Sequence, residues 1–132
     1  MERLKERLAI AQRALTTLEE LLALPHMSPV ERDAAIQRFE YTFEACWRAA
    51  QRYLLVGEGL SVGAPKACVR ATRDVGLFSD GQAVVGLEMV DDRNLTVHTY
   101  NEAVAERIAR NLPRYAELLA HWLTAIQARL KT

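Results

Sequence analysis

The residues of this chain best equipped for chemistry lie in one stretch, Asp91-Asp92-Arg93-Asn94-Leu95-Thr96-Val97-His98-Thr99-Tyr100. It carries a guanidinium, an imidazole and a phenol within a few positions of one another. A guanidinium stays charged and presents a planar fork of N–H donors that fits a phosphate bidentately. An imidazole titrates near neutrality, so it can serve as a general base or a general acid. Asn94, four residues before His98, is placed to orient either group. On an ideal helix Arg93 and His98 stand about 140° apart and do not share a face. If the helix ends near Val97, His98 falls in the turn and can swing back toward Arg93. Spacing leaves a second arrangement open: a capped helix end, with Arg93 paired to Asp91 or Asp92 and His98 simply exposed.

The elements that must position these groups are helical. Leu4, Leu8, Ala11, Leu15, Leu18 and Leu22 recur at three- and four-residue spacings, which predicts helix one over about 2–24, ended by Pro25. Ser28-Pro29 caps helix two, and Gly57-Glu58-Gly59 stops it near Val56. Its apolar stripe is Ile36, Phe39, Phe43, Trp47, Ala50 and Leu54. A short helix three fits 64–75, with Lys66, Arg70 and Arg73 on one face. Ser79-Asp80-Gly81 caps helix four, which reaches about Val97. Asn101 caps helix five, which runs toward Leu130 and carries Pro113 mid-way, where a kink or break is expected. The expected fold is all-α, one domain over residues 1–132: an antiparallel up-and-down four-helix bundle with an extra short helix.

Composition narrows the function classes. Lys+Arg and Asp+Glu both number 17, so the chain is no bulk electrostatic sponge for nucleic acid, although a local basic patch is allowed. The start, Met1-Glu2-Arg3-Leu4, lacks the apolar block of a signal peptide, and no apolar run is long enough to span a membrane. A cytoplasmic protein is expected, with Cys46 and Cys68 as reduced, buried thiols. Three scattered histidines with no carboxylate cluster predict no metal site, and there is no Gly-rich phosphate loop or nucleophile elbow. No cofactor is implied.

The polar stretch resembles the Arg-x4-His motif of the HEPN superfamily (higher eukaryotes and prokaryotes nucleotide-binding). Tyr100 extends it to Arg-x4-His-x-Tyr, a version found in toxins encoded beside minimal nucleotidyltransferases. The block Arg38-Phe39-Glu40-Tyr41-Thr42-Phe43-Glu44-Ala45-Cys46-Trp47 is similar to the helix-two signature of the superfamily's nucleotidyltransferase substrate-binding branch. Ala64-Pro65, Val75-Gly76-Leu77 and the Met89-Val90-Asp91-Asp92 lead-in match it too, so the likeness covers about residues 3–125. One departure is Ala83-Val84-Val85-Gly86, where that branch often carries a tryptophan; it touches packing more than chemistry.

The resemblance implies one of two roles: a metal-independent endoribonuclease, or a non-catalytic subunit that binds substrate or nucleotide for a nucleotidyltransferase. In the first, Arg93, His98 and Asn94 are the catalytic set and Tyr100 is where the partner transferase attaches AMP. One imidazole per chain falls short of the two proton carriers that RNA cleavage uses, so a homodimer is expected, with the helix four–five junctions near its axis. Glu40 and Glu44 are candidates for lining the cleft; Glu44 equally suits an ion pair with Arg48. Lys66, Arg70 and Arg73 are candidates for guiding phosphate, as are Arg107, Arg110 and Arg114, or these are solvated faces. The Gly-Ser and paired-Asp signature of the transferase is absent, so this chain is not expected to be the transferase's catalytic subunit; the resemblance implies that it is the partner of one. The ligand expected is RNA or a nucleotide.

Overall fold

The computed structural model describes residues 1–131; Thr132, the last residue of the expected domain, lies outside the described residues. Among the described residues five helices follow in order: α1 (Glu2–Leu22), α2 (Pro29–Glu58), α3 (Pro65–Asp74), α4 (Asp80–Asn94) and α5 (Glu102–Leu130). A single 3-10 turn, Thr96–His98, separates α4 from α5, and the described residues contain no strand.

Local chemistry sets most of these bounds. Ser28 and Ser79 each close a reciprocal capping box, with Glu31 and Gln82 respectively, and Asn101 accepts from the Ala103 and Val104 amides. The stop of α2 falls later than the glycine pattern predicts. Gly57 stays helical, and the chain leaves the helix at Gly59, whose φ of 72° suits glycine. The Leu60 amide then donates back to the Leu54 carbonyl at 2.8 Å, a Schellman-type ending.

Pro113 does not break α5. Its ring sits on the exposed side, and the buried stripe Ile108, Leu112, Tyr115, Ala116 and Leu119 runs past it without interruption. Packing of that stripe outweighs the one hydrogen bond that proline removes.

The two long helices, α2 and α5, form the central pair of an all-helical bundle. α1 lies against both of them, while α3 and α4 pack on each other and close the structure against α2 and α5. Phe39 of α2 stacks on Tyr115 of α5 with ring centroids 5.6 Å apart. At the other end Trp122 of α5 is fully buried, lies 5.1 Å from the Phe78 ring, and donates its indole N–H to Thr72 of α3. Gly86 lets α4 approach closely: a Cβ there would meet Cγ1 of Val69 at 2.8 Å. Val69 of α3 thus fills the space beside Gly86.

Both cysteines are free and buried. Burial pushes the Cys68 thiol up to about 12 and the Cys46 thiol higher still. Burial, followed by a hydrogen bond to a carboxylate, raises Tyr53 beside Glu58 and Tyr115 beside Asp92. All four groups are neutral in the native state and ionise more easily once unfolded, near pH 8.5 for thiols and near pH 10 for phenols. Their contribution is therefore fully present below those values and is lost as pH rises toward the native ones. Urea unfolding across a pH series should give a level stability near neutrality. It should decline above about pH 8.5 and fall more steeply above about pH 10. A level curve up to about pH 11 would contradict this.

Candidate functional site

The polar stretch occupies the corner where α4 hands over to α5. α4 ends at Asn94, three residues before the expected Val97. The hydroxyl of Thr96 donates to the Arg93 carbonyl at 2.7 Å, and the Leu95 amide is shared between the Asp91 and Asp92 carbonyls. This tightens the last turn into the 3-10 geometry of Thr96–His98. Asn101 then starts α5, its amide on the His98 carbonyl at 3.0 Å.

His98 and Tyr100 project from this corner as a pair. Nδ1 of His98 lies 3.1 Å from the Tyr100 hydroxyl, and the rings meet edge to face, 5.7 Å apart. The imidazole is exposed, and Tyr100 is 83% exposed. When the phenol donates to Nδ1, the imidazole N–H is on Nε2.

Arg93 turns the other way, toward α2. Its guanidinium contacts Glu44 at 3.4 Å, stands over the Phe43 ring at 5.8 Å, and reaches the side-chain oxygen of Asn94 at 3.5 Å. Glu44 also accepts from the Trp47 indole at 3.0 Å and from Arg48 at 3.1 Å, so three donors fix it. The expected Glu44–Arg48 pair is present, and Glu44 is in addition the counter-ion of Arg93. Glu40, one turn earlier on α2, is half-buried and makes no polar contact among the described residues. Within one chain, no hydrogen bond among the described residues joins Arg93 to His98.

The two aspartates before Arg93 divide, and neither pairs with it. Asp91 faces α3 and holds Lys66 at 2.7 Å. Asp92 turns into the core and is 1% exposed. Its Oδ2 accepts from the Tyr115 hydroxyl at 2.6 Å and from the Asn111 amide at 3.1 Å. Its Oδ1 lies 3.0 Å from the Arg107 guanidinium, a charge contact whose angles do not make it a hydrogen bond. Asp92 thus pins the end of α4 to α5, directly beside Arg93.

Of the basic candidates, Lys66 and Arg107 are tied to the α4 end, through Asp91 and Asp92 respectively. Arg73 pairs with its neighbour Asp74, and Arg70 is exposed. Arg114 pairs with Glu88. His121 bonds the Leu77 carbonyl, and Trp47 and Trp122 are core. Among the described residues no three His, Cys, Asp or Glu side chains are grouped to hold a metal ion, and no helix is long and apolar enough to cross a membrane.

Sequence reasoning misses the role of Asp92. A carboxylate next to an arginine reads as its partner. The signal available is register: Asp92 falls three residues after the buried Met89, on the inward stripe of α4.

Fold and site together define a class: an all-helical bundle whose polar machinery sits on the turn between its last two helices. The chain belongs to the family described as nucleotidyltransferase substrate binding protein like, which it matches over residues 6–128. A crystal structure of a Thermus thermophilus protein is 57% identical, with a TM-score of 0.86, covering 88% of this chain and 98% of that one. A crystal structure of a toxin–antitoxin with AMP-PNP shares the fold at 13% identity, with a TM-score of 0.70, covering 93% of this chain and 96% of that one. No curated protein matches the chain.

Proposed function

We propose that this chain is the HEPN component of a two-protein toxin–antitoxin-like system with a minimal nucleotidyltransferase. It is a metal-independent endoribonuclease, silenced when the partner places AMP on Tyr100. The observation that carries this reading is the 3.1 Å contact between the Tyr100 hydroxyl and His98 Nδ1. The group to be modified touches the group that would move the proton.

The chemistry runs through the ribose. A base takes the 2′-OH proton, the 2′-oxygen attacks phosphorus, and the 5′-oxygen leaves with a proton from an acid, giving a 2′,3′-cyclic phosphate and a 5′-OH. His98 supplies one proton transfer and Arg93 binds the charge that develops on phosphorus. Asn94, already on the guanidinium, orients it. The second His98 and Arg93 come from a second copy across a two-fold axis. The exposed side chain of Val97, at 72%, is apolar surface that such a contact would bury, with Tyr100 left at its open edge for the transferase. Phosphate then displaces Glu44 from Arg93, a partly exposed pair held by a modest interaction. A system that acts on RNA and draws on ATP belongs in the cytosol.

In the silencing step the Tyr100 oxygen attacks the α-phosphorus of ATP. The Tyr–O–P bond forms, pyrophosphate leaves, and the phenolic proton passes to solvent. The added anion sits against the imidazole and repels an RNA phosphate. Incubation with the partner transferase and ATP, followed by peptide mass mapping, should find AMP on Tyr100. AMP confined to other residues would refute the assignment.

A second reading has one specific support, the description of the family itself. In it the chain presents a nucleotide or acceptor to the transferase and cuts nothing. Nucleotide binding without cleavage by the unmodified protein would favour it.

A further inference from the structure

Four arginines converge on one cavity away from the α4–α5 corner. Arg3 and Arg7 stand one turn apart on α1, and Arg48 and Arg52 one turn apart on α2. With Gln51 and Ser61 they line a space of about 160 Å³ in which no acidic side chain takes part. Arg48 has a counter-ion, Glu44. Arg3, Arg7 and Arg52 have no ion pair or hydrogen bond among the described residues. The Nε of Arg52 is sealed from solvent without an acceptor.

This arrangement is costly in a protein with nothing in the cavity. Like charges repel across a short gap, and a buried N–H on a charged group loses its water without replacement. The chain's formal net charge is zero, so the cluster is a local concentration and not a reflection of general basicity. Planar guanidinium forks from two helices match tetrahedral oxyanions, which accept bidentately from each. The Ser61 hydroxyl adds a donor at the rim.

We infer that this cavity is a binding pocket for two or more linked phosphates, a chemistry shared by the polyphosphate of a free nucleotide and by successive phosphates of an RNA strand. The inference is independent of the ribonuclease reading, because it concerns binding at residues that take no part in the proton transfers.

Titration calorimetry of the full chain at low ionic strength tests it, with inorganic tripolyphosphate, ATP and a short single-stranded RNA as probes. Tripolyphosphate should bind the wild type. The double variant Arg3→Gln/Arg7→Gln and the single variant Arg52→Gln should each weaken it about tenfold or more. Arg13→Gln, which removes one charge as Arg52→Gln does but at an exposed α1 position outside the cavity, should leave it within about twofold. The double variant sits on exposed or half-exposed positions, so the test stands even if Arg52→Gln disturbs packing. If tripolyphosphate displaces RNA, the strand uses this pocket; if ATP competes and RNA does not, the pocket serves free nucleotides. Absence of tripolyphosphate binding, or binding that Arg13→Gln reduces as much as the cavity variants, would overturn the inference.

Discussion

Replacing His98 by alanine should lower RNA cleavage by about 10²- to 10⁴-fold and leave the melting temperature unchanged. The size follows from what a positioned acid–base group contributes to a proton-transfer step, and in a two-fold dimer the substitution removes both copies. The neutrality toward folding follows from placement. His98 is exposed on a 3-10 turn, and its polar side-chain contact is to Tyr100, itself at the surface. Single-turnover cleavage of a labelled RNA, read on a denaturing gel, gives the ratio directly. Equal rates for wild type and variant would mean that the nuclease in the preparation is something else. Tyr100→Phe sharpens the test: it should keep most of the cleavage and lose only the acceptor for AMP.

Replacing Asp92 by alanine should destabilise the fold by about 2–5 kcal/mol, about 1–3 for each of the two donors left without an acceptor. Asp92 is the single buried charged side chain among the described residues, and it serves three groups at once. Without it the buried Tyr115 hydroxyl and the Asn111 amide lose their acceptor. Arg107 loses its anion too, but its guanidinium is largely solvated and that share is small. Asp92→Asn keeps the shape and one acceptor oxygen and should cost less. Because Asp92 anchors the last turn of α4, the alanine variant should also loosen Arg93 and the turn carrying His98. Chemical denaturation measures the first effect, and a loss below about 1 kcal/mol would show that the network is not structural.

The helices are legible in the sequence because their signals are local. Serine caps, an asparagine cap and a leucine stripe each act within one or two turns, and reading them needs no long-range partner. Elsewhere a contact from a distant part of the chain or a competing side chain decides. Proline at position 113 argues for a break, but the apolar stripe that passes beside it is buried in the bundle. The end of α4 depends on one hydroxyl, Thr96, choosing the Arg93 carbonyl. Asp91 and Asp92 look interchangeable in a string of letters, and only packing shows that one faces Lys66 and the other Tyr115. Helical spacing pairs Glu44 with Arg48, while its second cation lies on a different helix, beyond the reach of such rules.

In the proposed mechanism the His98 imidazoles of a two-fold dimer cut RNA and Tyr100 is the switch. Cleavage of a labelled RNA in the presence of a metal chelator, by the protein before and after stoichiometric AMP transfer to Tyr100, tests both halves at once. Cleavage by the unmodified protein that disappears on modification is the predicted result. Undiminished cleavage by the AMP-bearing protein, or none by the unmodified one, would contradict it.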